Sequence, residues 1–224
     1  MPPHFRGAPV IDPTKCPDGC RACAEACPTD AVSFDGTVRV DLGRCIFCPE
    51  CAAACPEGAI QFSDDYRLAA RTRDDLREHK LAEALDGKLR RLFGRSLKLR
   101  VVSAGDCNAC AADVNVLSTI GWDIGRFGIQ YVASPRHADG MIVMGPVTEN
   151  MRVAVKKTYE AIPDPKIVVA VGACAISGGI YAGHPEQHDG AESIVPVDLF
   201  IPGCPPHPLT IVDGFLRLLG RLER

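Results

Sequence analysis

Between residues 97 and 222 short apolar runs alternate with longer stretches whose apolar residues recur every three or four positions. The runs KLRVVSA, GIQYVAS, GMIVMGP, KIVVAVGA and VDLFIPG read as strands; ADVNVLSTI, NMRVAVKKTYEAI and PLTIVDGFLRLLGRL read as helices. Such alternation predicts a parallel sheet with helices on both faces, its continuous apolar runs being strands buried on both sides. Upstream, AVSFDGTVRVD reads as two short alternating segments about Asp35-Gly36, a β-hairpin. Residues 63–100 are different: dense in charge and without cysteine, with Leu68, Leu76, Leu81, Leu85 and Leu89 at roughly helical spacing. That pattern predicts an amphipathic connector packed on one of the domains, with a docking helix for a partner as its rival.

Composition narrows the class. The 224 residues suffice for one medium domain and a small one, and 46% hydrophobic with 24% charged residues is ordinary for a soluble protein. A net charge of −3 offers no basic surface for nucleic acid. No apolar run approaches the ~18–20 residues needed to span a bilayer. The start, MPPHFRGAPVIDPTK, has neither the apolar core of a secretory signal nor a twin arginine, so a cytoplasmic location is expected.

Twelve cysteines change the picture. Disulfides are rare in the cytosol, and a chain of this size buries a core without them. Twelve is three sets of four, and four thiolates hold one iron–sulfur cluster. Eight of the cysteines lie before residue 56. Cys45, Cys48, Cys51 and Cys55 form C-x2-C-x2-C-x3-C-P, the bacterial ferredoxin run. Cys16, Cys20, Cys23 and Cys27 repeat it with one extra residue between the first two. Three closely spaced cysteines wrap three corners of a cube, and the fourth, expected to start a helix that points away, reaches the other cube. Cys16, Cys20, Cys23 and Cys55 are therefore paired on one cluster, and Cys45, Cys48, Cys51 and Cys27 on the other. Residues 8–64 resemble a two-cluster bacterial ferredoxin domain.

The remaining four follow the predicted strands. Cys107 and Cys110 come after the strand ending near Ser103, Cys174 after that ending near Val171, and Cys204 after that ending near Ile201. A lone C-x2-C fits half a zinc site, a redox dithiol or half an iron–sulfur site. In an open α/β sheet, however, ligands bind beyond the carboxyl ends of the strands, so these loops are expected to converge on one four-thiolate site. Gly105, Gly172, Gly178, Gly179 and Gly203 are expected to bring backbone N–H groups up to the sulfurs. A zinc-rich interaction module without redox function is the rival from another class.

DCNAC, RFGIQYVASPRHADGMIVMGPVTENM, VAVGACAISGG and VDLFIPGCPPHP resemble the small subunit of group 4, membrane-bound energy-converting nickel–iron hydrogenases, of the formate hydrogenlyase type. The twenty-kilodalton subunit of respiratory complex I is similar. Complex I subunits carry adjacent cysteines at the first ligand site, whereas Cys107-x2-Cys110 follows the hydrogenase pattern. The resemblance implies an α+β ferredoxin-like domain followed by an α/β flavodoxin-like domain with a parallel sheet. The expected divisions are an N-terminal tail at 1–10, a ferredoxin domain at 11–64, a charged helical linker at 65–96 and the hydrogenase-like domain at 97–224.

It also implies three 4Fe–4S clusters, relaying electrons to the active site of a hydrogenase large subunit similar to the forty-nine-kilodalton subunit of complex I. Membrane-arm subunits and an electron donor such as a ferredoxin or formate dehydrogenase are the further partners, and the location is peripheral on the inner face of the cell membrane. The same relay in a complex I-like or hydrogenase-related complex that lacks nickel and reduces a quinone or other acceptor is the alternative. The family's acid three residues past the second cysteine, usually glutamate, lies near the proximal cluster at the large-subunit interface; here it is Asp113, the one candidate catalytic residue. The plainer role for Asp113 is a helix N-terminal acid favoured by the dipole. Arg136 and His137 resemble the family segment near the buried cluster, while His184, His188 and His207 lie in loops where solvation is expected.

Overall fold

A computed structural model describes residues 5–17 and 19–222. Residues 1–4 of the expected tail, and Asp18 in the lengthened Cys16–Cys20 loop, lie outside the described residues.

The C-terminal unit is a five-stranded parallel sheet built from β5 (Leu97–Ser103), β6 (Ile129–Tyr131), β7 (Gly140–Met144), β8 (Ile167–Val171) and β9 (Leu199–Ile201). Its strand order is β6-β5-β7-β8-β9, an α/β sheet of the doubly wound, flavodoxin-like order. Every residue of β7, β8 and β9 is buried, which is why GMIVM, IVVAV and LFI are continuous apolar runs. Alternate residues divide between the faces. Ile142, Met144, Val169 and Ile201 pack with α5 (Ala109–Val116) and α8 (Pro208–Leu218), and the short α7 (Ala173–Ser177) follows β8. Met141, Val143, Ala170 and Phe200 face the other way, with Val155 of α6 (Glu149–Ala161).

That second face also carries the N-terminal unit. β1 (Pro9–Ile11) pairs antiparallel with β4 (Ile60–Phe62), and β2 (Val32–Phe34) with β3 (Val38–Val40). Gly36, φ 79°, sits in the turn between β2 and β3. Two four-residue helices, α1 (Ala22–Glu25) and α2 (Glu50–Ala53), carry Cys23 and Cys51. Each helix precedes the fourth cysteine of its run, whereas the expectation had that cysteine starting one. One apolar core joins Val32, Val40, Leu42 and Phe47 of this unit to Met141, Val143 and Phe200 of the sheet.

The connector is not one helix. It forms α3 (Arg73–Arg77), capped by Thr72 Oγ1 on the Asp75 N–H, and α4 (Gly87–Phe93), capped by Asp86. Each cap starts a new helix and interrupts the periodicity. Leu68, Leu76 and Leu85 are buried against different neighbours rather than along one stripe. Ala70 forms a two-hydrogen-bond antiparallel bridge with Phe200 on edge strand β9. The connector thus packs against both units.

Candidate metal centre

In the N-terminal unit the thiols form two groups. Cys16, Cys20, Cys23 and Cys55 line one hollow, with about 310 Å³ of empty space, beside Val38 and Ile60. Cys27, Cys45, Cys48 and Cys51 line a second of about 320 Å³, beside Val32 and Val40. Backbone N–H groups donate to sulfur around both: Ala31 N to Cys27 Sγ at 3.2 Å, Phe47 N to Cys45 Sγ at 3.3 Å, and Ala59 N to Cys55 Sγ at 3.2 Å. Burial, reinforced by Cys51, Cys27 and Cys48 and opposed by the Phe47 N–H, pushes the Cys45 thiol up to about 12. Cys55 moves the other way. Burial resists, but the N–H groups of Ala59, Glu57, Ile60 and Gly58 hold it below the usual thiol range.

At the sheet, the loops after β5, β8 and β9 bring Cys107, Cys110, Cys174 and Cys204 together at the carboxyl ends of the strands. Burial raises Cys110, and Cys174, Cys204 and Cys107 raise it further. Cys174 is pushed up to about 11 by burial, then by Cys204 and Cys107. Gly172 opens this space: it holds φ at 92°, and a Cβ on it would lie 2.5 Å from Cys110 Sγ. Gly179 also abuts a sulfur, that of Cys174, whereas Gly105, Gly178 and Gly203 meet Thr148, Asp189 and Pro206 instead.

The donor chemistry fits iron–sulfur clusters. All twelve cysteines are free thiols. Among the described residues no three side chains close on one point as ligands of a single ion do; each N-terminal set rings a hollow instead. Four thiolates so crowded repel one another, and a cationic centre among them removes that repulsion.

A groove of about 880 Å³ lies between the units, lined by Phe47, Leu68, Cys204, His207, Asp113 and Thr210. Asp113 is on α5, one turn past Cys110. Burial raises its carboxyl, and the nearby His207 opposes that rise. Burial lowers His207, against the pull of Asp113. His207 is not a solvated loop residue. Its Nδ1 accepts from the Leu209 N–H at 3.1 Å and caps α8, and its ring meets Phe5 and Trp122 edge-on. A signal was present in PGCPPHP, since a residue just before a helix-starting proline is an N-cap position. His188 pairs with Glu149 at 2.5 Å, and His184 Nδ1 accepts from the Glu186 N–H.

Arg136 and His137 are not near the thiols. They precede β7 and share a groove with Lys98, at the start of β5. This is the amino edge of the sheet, a strand's length from the cysteine loops. The connection from β6 to β7 has no α-helix, only the 3-10 turn Pro135–His137, which places Arg136 and His137 just before β7.

A parallel α/β sheet with four thiols at its carboxyl end, joined to a unit with two further four-thiol hollows, defines an iron–sulfur protein of electron transport. The family model described as "NADH ubiquinone oxidoreductase, 20 Kd subunit" matches residues 107–218, half of the chain, and a "4Fe-4S dicluster domain" matches residues 15–59. The chain belongs to the family of the twenty-kilodalton subunit of NADH:ubiquinone oxidoreductase. It is 41% identical to "Probable membrane-bound hydrogenase subunit mbhJ" of Pyrococcus furiosus, over 66% of this chain and 88% of that one. It is 38% identical to an NADH-quinone oxidoreductase subunit of Desulfovibrio desulfuricans, over 66% of this chain and 80% of that one. Among solved structures, that of the membrane-bound sulfane sulfur reductase, an archaeal respiratory membrane complex, aligns with a TM-score of 0.53 at 33% identity, over 61% of this chain and 75% of that one.

Proposed function

We propose that the chain is a three-cluster electron relay whose active site lies on a partner large subunit, and that the partner is a hydrogenase. One observation carries it: twelve free thiols gather in three groups of four, and the second lies beside the third. Cys16, Cys20, Cys23 and Cys55 would hold the first 4Fe–4S cluster. Cys27, Cys45, Cys48 and Cys51 would hold the second, and Cys107, Cys110, Cys174 and Cys204 the third. Such clusters, when bound, supply one-electron storage.

The protein supplies order, burial and charge. Cys48 is close enough to Cys204 to raise its thiol, after burial and Cys107, and Ile46 and Phe47 line the same groove as Cys204. The N-terminal unit, read as a ferredoxin fold, therefore presents its second set to the third, and the first set is the outer end. N–H groups on Cys27, Cys45 and Cys55 stabilise negative charge at the two N-terminal sets. Asp113, on the groove beside Cys204, is placed to hold a proton at its carboxyl near the large-subunit interface.

Cys107-x2-Cys110 and the mbhJ relative favour hydrogen as the partner's substrate. The relatives that belong to NADH-quinone oxidoreductase and sulfane sulfur reductase favour the second reading, the same relay with a nickel-free large subunit and another acceptor. In either case the complex is attached to the cytoplasmic face of the membrane by other subunits. Anaerobic analysis of the pure chain should find ~12 iron and ~12 sulfide, and only ~8 of each would remove the third site. Hydrogen uptake by the complex, with nickel in its large subunit, separates the first reading from the second.

A further inference from the structure

One face that the relay does not use carries a run of cations without acids in sequence. Residues 87–105 contain six basic side chains and no acidic one. In α4, Leu89 and Phe93 pack into the core, leaving Lys88, Arg90, Arg91 and Leu92 exposed. Leu92 is 53% exposed, among the most exposed large apolar side chains. Arg95 and Lys98 extend the strip, and Leu92 and Lys98 share a shallow groove with Arg136 and His137. Arg221 donates to the carbonyls of Gly94 and Phe127, tying the end of α4 to the turn that bears Arg126. Two acids face the groove. Asp139 accepts from the Lys98 N–H at 2.7 Å, and Asp164 pairs with Lys166 at 3.4 Å. Among the described residues no salt bridge engages Lys88, Arg90, Arg91, Arg95, Lys98, Arg126 or Arg136.

We propose that this face rests on an anionic lipid surface. Clustered Lys and Arg around one exposed leucine are what a negatively charged leaflet attracts. An acidic redox partner fits less well. The face lies at the amino edge of the sheet, opposite the loops of Cys107, Cys110, Cys174 and Cys204, so a donor bound there would be a strand's length from those thiols. Membrane contact here leaves the crevice free for a large subunit. Among the described residues no helix is long and apolar enough to cross a membrane, and this face is of the kind that lies on one.

Co-sedimentation of the full, cluster-loaded chain with vesicles tests it. The chain binds vesicles of equal parts phosphatidylglycerol and phosphatidylcholine, and phosphatidylcholine alone at least about ten-fold more weakly, with binding falling as salt rises. A variant carrying Lys88→Gln, Arg91→Gln, Arg95→Gln and Lys98→Gln loses the preference for the anionic vesicles while its visible iron–sulfur absorbance is unchanged. Leu92→Ser, a single exposed change, weakens binding and leaves the fold intact. Wild-type chain that ignores the anionic vesicles, or a quadruple variant that binds them as wild type does, overturns the proposal. Binding to polyglutamate but not to vesicles overturns it in favour of an acidic protein surface.

Discussion

At Gly172 one missing carbon decides whether four sulfurs can share a space. Its φ of 92° is a conformation other residues resist, and a methyl group there would press on Cys110 Sγ. Gly172→Ala should empty the third site selectively, dropping iron from ~12 to ~8 per chain while the signals of the two N-terminal sets persist in electron paramagnetic resonance. Iron unchanged at the wild-type value would mean the loop can yield. Individual thiols were legible in the sequence because ligand spacing is local. The resemblance to the hydrogenase small subunit, rather than any local pattern, singled out Asp113. His207 was not legible as its neighbour, because α5 and α8 meet only once the sheet has formed, and Thr210, whose buried Oγ1 has no hydrogen-bond partner, gave no sign at all.

Between elements, the junction of connector, hairpin and crevice matters most. Arg73 on α3 reaches Asp41 Oδ2 at 3.3 Å and the Ile176 carbonyl at 2.9 Å. Ser177 Oγ donates to the Gly43 carbonyl at 2.9 Å. Gly43 stands two residues before Cys45, and Ile176 two after Cys174, so these bonds hold a loop of the second set against a loop of the third. A Cβ on Gly43 would lie 2.6 Å from Arg73 Nη1 and 2.9 Å from Ile176 Cγ2. Gly43→Ala should wedge the junction, and Arg73→Met should release it. Removing one partner of a buried pair costs ~3–5 kcal/mol, and less here because Arg77 also reaches Asp41 at 3.4 Å. Both variants should keep full iron but weaken or broaden the magnetic interaction between the second and third clusters in the reduced protein; an interaction identical to wild type in both would show that the junction does not set their separation. β7, β8 and β9 were legible because burial on both faces writes them as uninterrupted apolar runs. β1 and β4 were not, being three residues each and paired across some fifty residues of chain. The connector's leucines misled for a related reason: spacing does not reveal which neighbour each one meets.

For the molecule as a whole, one apolar core runs across the boundary between the two units. Val40, Leu42 and Phe47 share it with Met141, Val143 and Phe200. Thermal unfolding of the cluster-loaded chain should therefore be a single cooperative transition followed alike by visible absorbance and circular dichroism, whereas two separated transitions would restore independence. Stripping iron with a chelator should cost most in the N-terminal unit, whose strands are three residues long and whose interior holds Cys23, Cys45 and Cys51 among its few apolar side chains, and should be seen as early loss of protection in hydrogen exchange there. A shared core also fixes stoichiometry. A separate small ferredoxin meets its acceptor by collision, and its occupancy falls as the solution is diluted. Here one chain carries both units, so dilution does not separate them, and a protease cut in the connector would leave them bound until the apolar seam itself came open.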